Sequence, residues 1–118
     1  MKNNLKKNKV LISMSADVIH HGHINIINEA RKYGDITIGL MADEIVAKHK
    51  RLPYLNWEQR KKIIENIKGV VKVIKQTEWD YGPLIMSHKP DYLVHGTDWK
   101  KGSLKRLRDT AIKSLKSY

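Results

Sequence analysis

The sequence contains no cysteine. This excludes disulfides and thiolate metal sites, and it fits a reducing compartment. No apolar run approaches the roughly 18–20 residues needed to span a bilayer as a helix. The basic start, MKNNLKKNK, leads only into Val10-Leu11-Ile12, too short for a signal-peptide core. The expectation is a cytoplasmic protein with no membrane partner. Acidic residues are scarce, with 12 Asp and Glu against 23 Lys and Arg and a net charge of +11. Such a surface attracts polyanions, from nucleic acid to nucleotide phosphates. A basic nucleic-acid-binding module would use Lys2, Lys6, Lys7 and a C-terminal helix, but interleaved aromatics and any recognised binding motif are missing, so nucleic acid is not the expected partner. Internal repeats, low-complexity tracts and linkers are also missing. The 118 residues suit a single domain, 1–118, around one core.

What is there alternates between strand and helix. KVLISM, from Lys9 to Met14, is a short apolar run suited to a buried strand. Ile24, Ile27, Ala30 and Arg31 then fall on one helical face. DITIGLM, from Asp35 to Met41, predicts a second strand, and Ala42 to Lys48 a short helix. HKRLPYLN, from His49 to Asn56, is polar, contains Pro53 and predicts a loop. Asn56 can cap a helix whose buried side is marked by Trp57, Ile63, Ile64 and Ile67. Val70 to Lys75 is a third strand, Tyr81 to Lys89 a helix stopped by Pro90, and Asp91 to His95 a fourth strand. Ser103 can cap a final basic helix with Leu104, Leu107, Ala111 and Leu115 on one stripe. Strand–helix–strand units of these lengths give parallel strands with right-handed crossovers. The fold class is therefore α/β, a Rossmann-like three-layer αβα sandwich whose ligand binds at the carboxyl ends of the strands.

Several features converge on the carboxyl end of the first strand. Ser15 and Ala16 are small and let backbone amides approach a ligand. His20 and His23 stand three apart at the start of a helix, so they share a face. Gly22 between them leaves room for a close approach. A helix start carries partial positive charge, and two imidazoles add donors. The combination suits a triphosphate. His20, His21 and His23, with Asp17 close by, raise the possibility of a transition-metal site, but the spacing lacks the usual i, i+4 pair and further ligands, so no protein metal site is expected.

SADVIHHGH at 15–23 resembles the H-x-G-H signature of the cytidylyltransferase family of nucleotidyltransferases. The resemblance continues through Leu40-Met41-Ala42-Asp43-Glu44, through the basic loop of Lys50, Arg51 and Tyr54 with Trp57-Glu58-Gln59-Arg60, and through His95-Gly96-Thr97-Asp98-Trp99. It covers roughly residues 9–102, with four motifs in the family's order. Within the family, SMSAD and KRLPY are most similar to the branch that activates 2-aminoethylphosphonate-type acceptors beside phosphoenolpyruvate mutase. The resemblance implies transfer of CMP from CTP to a phosphonate or phosphate monoester, with Mg²⁺ on the nucleotide phosphates and pyrophosphate leaving. It assigns His20, His23 and Lys50 to catalysis, and Ser15, Ala16, Gly22, Asp98 and Trp99 to nucleotide binding with the two histidines. Arg51 is assigned to the acceptor or a phosphate, and Arg60 is expected to support the fold. A homodimer is implied, with Trp57 to Ile67 as its interface. ATP replaces CTP in the related adenylyltransferases, which leaves adenylyl transfer as the alternative.

Two departures stand out. Met14 and Ala16 stand where the family commonly has a glycine and an aromatic residue, while Ser15 and Asp17 keep its hydroxyl residue and aspartate. The family's R-T-E-G-I-S-T segment and its strand have no counterpart up to Tyr118. The expectation is therefore a sheet lacking the family's C-terminal strand, and a 118-residue chain of feeble activity or an inactive nucleotide-binding short form.

Overall fold

The computed structural model describes residues 8–95 and 112–118. The elements follow one another as β1 (Lys9–Met14), α1 (His21–Ala30), β2 (Asp35–Met41), α2 (Asp43–His49), α3 (Trp57–Ile64), β3 (Val70–Gln76), α4 (Gly82–His88) and β4 (Tyr92–Leu93). Residues 112–116 are also helical. The strands form a parallel sheet in the order β3-β2-β1-β4. The order reverses between β1 and β4, which is where ligands bind in folds of this kind. No described helix is long and apolar enough to cross a membrane.

β1 and β2 are apolar on both faces because helices cover both. Val10, Ile12, Met14, Ile36, Ile38 and Leu40 point into one layer, where Ile27 and Ala30 of α1 and Ile64 of α3 meet them. Leu11 and Met41 point the other way, toward Val46 of α2 and Ile85 of α4, with Leu115 packed alongside. Each fully buried aliphatic side chain contributes roughly 1.5–3 kcal/mol. The two layers of helices around one sheet are the expected sandwich.

Three local expectations are corrected. Ile63 is 43% exposed, whereas Arg60 is fully buried. Arg60 and Ile64 stand at i and i+4, so they share the inward face and Ile63 is rotated off it. On α1, Arg31 is exposed. Its methylene stem crosses Gly69, where an added Cβ would lie 2.5 Å from Arg31 Cγ and Cδ. Gly69 also has φ +99, a left-handed backbone that favours glycine. The fourth strand is shorter than Asp91 to His95, pairing Val10 with Tyr92 and Leu11 with Leu93, although Val94 N still donates to Leu11 O at 3.0 Å. Of the basic C-terminal helix, Ser103 to Ala111 lie outside the described residues, as do Asp98 and Trp99.

Candidate phosphate-binding site

β1 delivers the chain into the turn at 15–20. Ser15 is half-buried, and Ala16 is buried at φ +52. A left-handed alanine is strained by roughly 1–2 kcal/mol. Its methyl joins the core beneath α1, which holds the bend in place. His20, in extended backbone, caps α1.

The cap is reciprocal. Gly22 N donates to His20 Nδ1 at 3.0 Å, and His20 N donates to His23 Nδ1 at 3.2 Å. This is a capping box built from two imidazoles. Each Nδ1 must present a lone pair to accept, so in each neutral ring the proton sits on Nε2. The rings lie 4.3 Å apart. The helix start is thus less open than the sequence implies: the Gly22 amide is taken by His20 Nδ1, and the His23 amide by His20 O at 3.1 Å. The two imidazoles still offer a ligand a pair of Nε2–H donors.

Gly22 is needed for this cap. A Cβ there would stand 2.7 Å from His20 Cε1 and 3.0 Å from Nδ1. Gly22→Ala should drive the ring off the helix start. The lost cap costs about 1 kcal/mol and alanine's helix preference returns about the same. Thermal melting should therefore barely change, while affinity for inorganic triphosphate falls about tenfold as the donors move. Calorimetry on the variant checks this, and unchanged affinity would contradict it.

Lys50 closes the group. It ends α2, and its Nζ donates to Ser15 Oγ at 3.4 Å across 35 residues of sequence. Burial, followed by the charges of His20 and Lys50, pushes the pKa of His23 below the ordinary histidine range. Ser15, His20, His23 and Lys50 therefore stand together at the carboxyl end of β1. Arg51 does not join them directly. It pairs with Asp17 Oδ2 at 3.1 Å and lies over the Tyr54 ring at 4.6 Å.

Two residues do more than the sequence suggested. The Arg60 guanidinium donates to Ser15 O and Met41 O at 2.7 Å, to Leu55 O at 3.1 Å and to Asp43 Oδ1 at 2.6 Å. One buried side chain thus ties the ends of β1 and β2 to the start of α2 and the 50–56 loop. Asp17, next to the metal candidates in the sequence, has both carboxylate oxygens in use. They accept from Tyr54 N and Leu55 N at 3.0 Å and pair with Arg51. Burial alone would raise this carboxyl, but those two amides, with Arg51 and Arg60, outweigh it and hold it below the usual range. Further along the carboxyl edge, His49 stacks on Trp79 at 4.2 Å and the Tyr81 hydroxyl meets His95 Nε2 at 3.0 Å. Neither pairing carries a local sequence signal.

Residues 15–114 match the family described as cytidylyltransferase-like. The chain is 41% identical over 96 residues to a FAD synthase of Archaeoglobus fulgidus, covering 76% of this chain and 70% of that protein. It is 32% identical over 103 residues to the glycerol-3-phosphate cytidylyltransferase of Bacillus subtilis strain 168, covering 86% of this chain and 79% of that one. The fold is shared with a lipopolysaccharide core biosynthesis protein from Thermoplasma volcanium, at a TM-score of 0.78 and 24% identity over 92% of this chain and 88% of that one. With a family model matched over residues 15–114 and relatives more than 30% identical over most of their length, the chain belongs to the cytidylyltransferase-like family of nucleotidyltransferases.

Proposed function

We propose that the protein transfers CMP from CTP to an oxygen of a phosphonate or phosphate monoester, with a 2-aminoethylphosphonate-type acceptor as the expected class. One observation carries the chemistry: the site supplies donors. His20 and His23 each offer Nε2–H, and Lys50 offers an ammonium beside the Ser15 hydroxyl. The one carboxylate in the turn, Asp17, is spent on the neighbouring loop. That set suits a reaction in which the nucleophile arrives already ionised and charge must be neutralised on phosphate oxygens. The acceptor oxygen forms a bond to the α-phosphorus of CTP. The bond from that phosphorus to the bridging oxygen breaks, and pyrophosphate leaves with the electron pair.

The residue roles belong to the same proposal. His20 and His23 hold phosphate oxygens as neutral donors, and Lys50 neutralises charge that builds on the departing pyrophosphate. Ser15, Ala16 and Gly22 shape the turn beneath them. Arg51 would serve the acceptor's anionic group only by leaving Asp17, and Asp98 and Trp99 are assigned to the nucleoside through the family pattern alone. With Asp17 engaged, Mg²⁺ fits as an ion carried on the triphosphate, where it neutralises phosphate charge.

A second reading is adenylyl transfer. The FAD synthase relative favours it, since its product contains adenylate. Calorimetry with CTP and ATP, joined to pyrophosphate release with 2-aminoethylphosphonate, glycerol 3-phosphate and flavin mononucleotide as acceptors, separates the two. CTP is expected to bind tighter and to support release with a phosphonate or phosphate acceptor. Tighter ATP binding, with release on flavin mononucleotide, would transfer the assignment to the second reading. Binding of neither nucleotide would remove both.

A further inference from the structure

We propose that Asp17 is a positioning residue, which holds the 50–56 loop so that Lys50 stands against Ser15 and acts on transfer through Lys50 without touching substrate. This rests on nucleotidyl transfer at the site described above.

Asp17 lies between Ser15 and His20 in the chain, yet its carboxylate is turned away from them. It is 5% exposed, and its oxygens are taken by the amides of Tyr54 and Leu55 and by Arg51. A depressed pKa keeps it ionised, so it remains an acceptor of all three donors. The loop it grips has little apolar packing of its own, with Leu52 80% and Tyr54 73% exposed. Segments of this kind open at low free energy unless their backbone is tied down. Its ends are held by the Lys50 and Arg51 amides on Val46 O and by Asn56 N on Gln59 Oε1, and between them the ties are the Asp17 carboxylate on the amide side and Arg60 Nε on the Leu55 carbonyl. Lys50 is the residue at which the loop leaves α2, with φ −129 and ψ −82, outside the regular helical region. Releasing the loop therefore releases Lys50 from Ser15.

An Asp17→Asn variant keeps one acceptor oxygen but puts an NH₂ where an N–H now donates. It should lower kcat/KM for the nucleotide by about ten- to a hundredfold through misplacement of Lys50. A double-mutant cycle with Lys50→Gln separates positioning from general weakening of the fold. If Asp17 acts through Lys50, adding Asp17→Asn to Lys50→Gln lowers the rate by less than about twofold. Hydrogen exchange at the Tyr54 and Leu55 amides should also speed up. An equal loss in both backgrounds, or unchanged kcat/KM in Asp17→Asn alone, overturns the proposal. If Asp17→Asn does not fold, Tyr54→Pro deletes one of the bonded amides, leaves Asp17 in place and enters the same cycle. If the unaltered protein binds and turns over neither CTP nor ATP, nucleotidyl transfer fails, and amide exchange in the variant alone decides the positioning role, with unchanged exchange overturning it.

Discussion

His23→Ala is expected to lower kcat/KM for nucleotide-dependent pyrophosphate release by about a hundred- to a thousandfold, the loss typical of one preorganised donor to developing charge. The variant loses two things together. The Nε2–H donor disappears, and the His20 amide loses the Nδ1 that it bonds at 3.2 Å. His23→Gln, which keeps polar groups at a similar reach, should recover part of the affinity for triphosphate and little of the rate. The pH dependence follows from the cap. Burial and the neighbouring His20 and Lys50 disfavour a proton on the Nδ1 of His23, and the bond from His20 N disfavours it further. The folded-state pKa therefore lies below the ordinary 6.5, and its contribution to stability is complete above that value and lost as pH falls through the folded one. With neutral donors, kcat/KM should be flat from about pH 7 to 8.5 and should decline toward acid. A rate that climbs as pH falls from 8 to 6 would show that an imidazolium is used instead.

Arg60→Met should be strongly destabilising. The volume is roughly kept, but the carbonyls of Ser15, Met41 and Leu55 lose their donor, Met41 O in a buried setting and the other two in part-buried ones. Asp43 is 44% exposed and can turn to water, so the larger part of the loss comes from the three carbonyls. Leaving buried partners of a charged group unpaired costs about 3–5 kcal/mol. This is a large share of the roughly 5–15 kcal/mol that holds a typical domain together. Melting should fall by on the order of 10–25 °C, as read by circular dichroism. Arg60→Lys should rescue little, because one ammonium cannot reach four acceptors spread around a planar fork. A drop of less than about 5 °C would show that the surrounding carbonyls find other partners.

The two central strands were legible to the residue. Lys9–Met14 and Asp35–Met41 are short runs buried on both faces, and such runs announce themselves by composition alone. Helix starts were legible for the same local reason. Asn56 caps α3 as expected, its side chain forming a capping box with Gln59, and His20 and His23 make another on α1. What periodicity misjudged was α3, where an arginine occupies the inward stripe. A rule that sends charge outward cannot anticipate a guanidinium whose partners come from four other segments. Asp17 escaped for the same reason, since its partners lie 37 and 38 residues away. The approach of Lys50 to Ser15 could be expected from the family pattern but not from spacing, because the two meet only when the sheet has formed.

The bonds of Arg60 also bear on how the protein reaches its folded state. Ser15 and the arginine that holds its carbonyl are separated by 45 residues, and Met41 and Asp43 lie between them in the chain. A nascent chain that has emerged only through β2 would have every residue of the H-x-G-H turn and its local cap, but not the arginine that holds the Ser15 carbonyl. The turn takes its final shape when α3 docks, so contacts of long sequence separation delay it. The reverse holds on unfolding. Undocking α3 withdraws the hydrogen bonds from the turn, the α2 start and the basic loop at once, so the candidate site and the helix behind it belong to one cooperative unit.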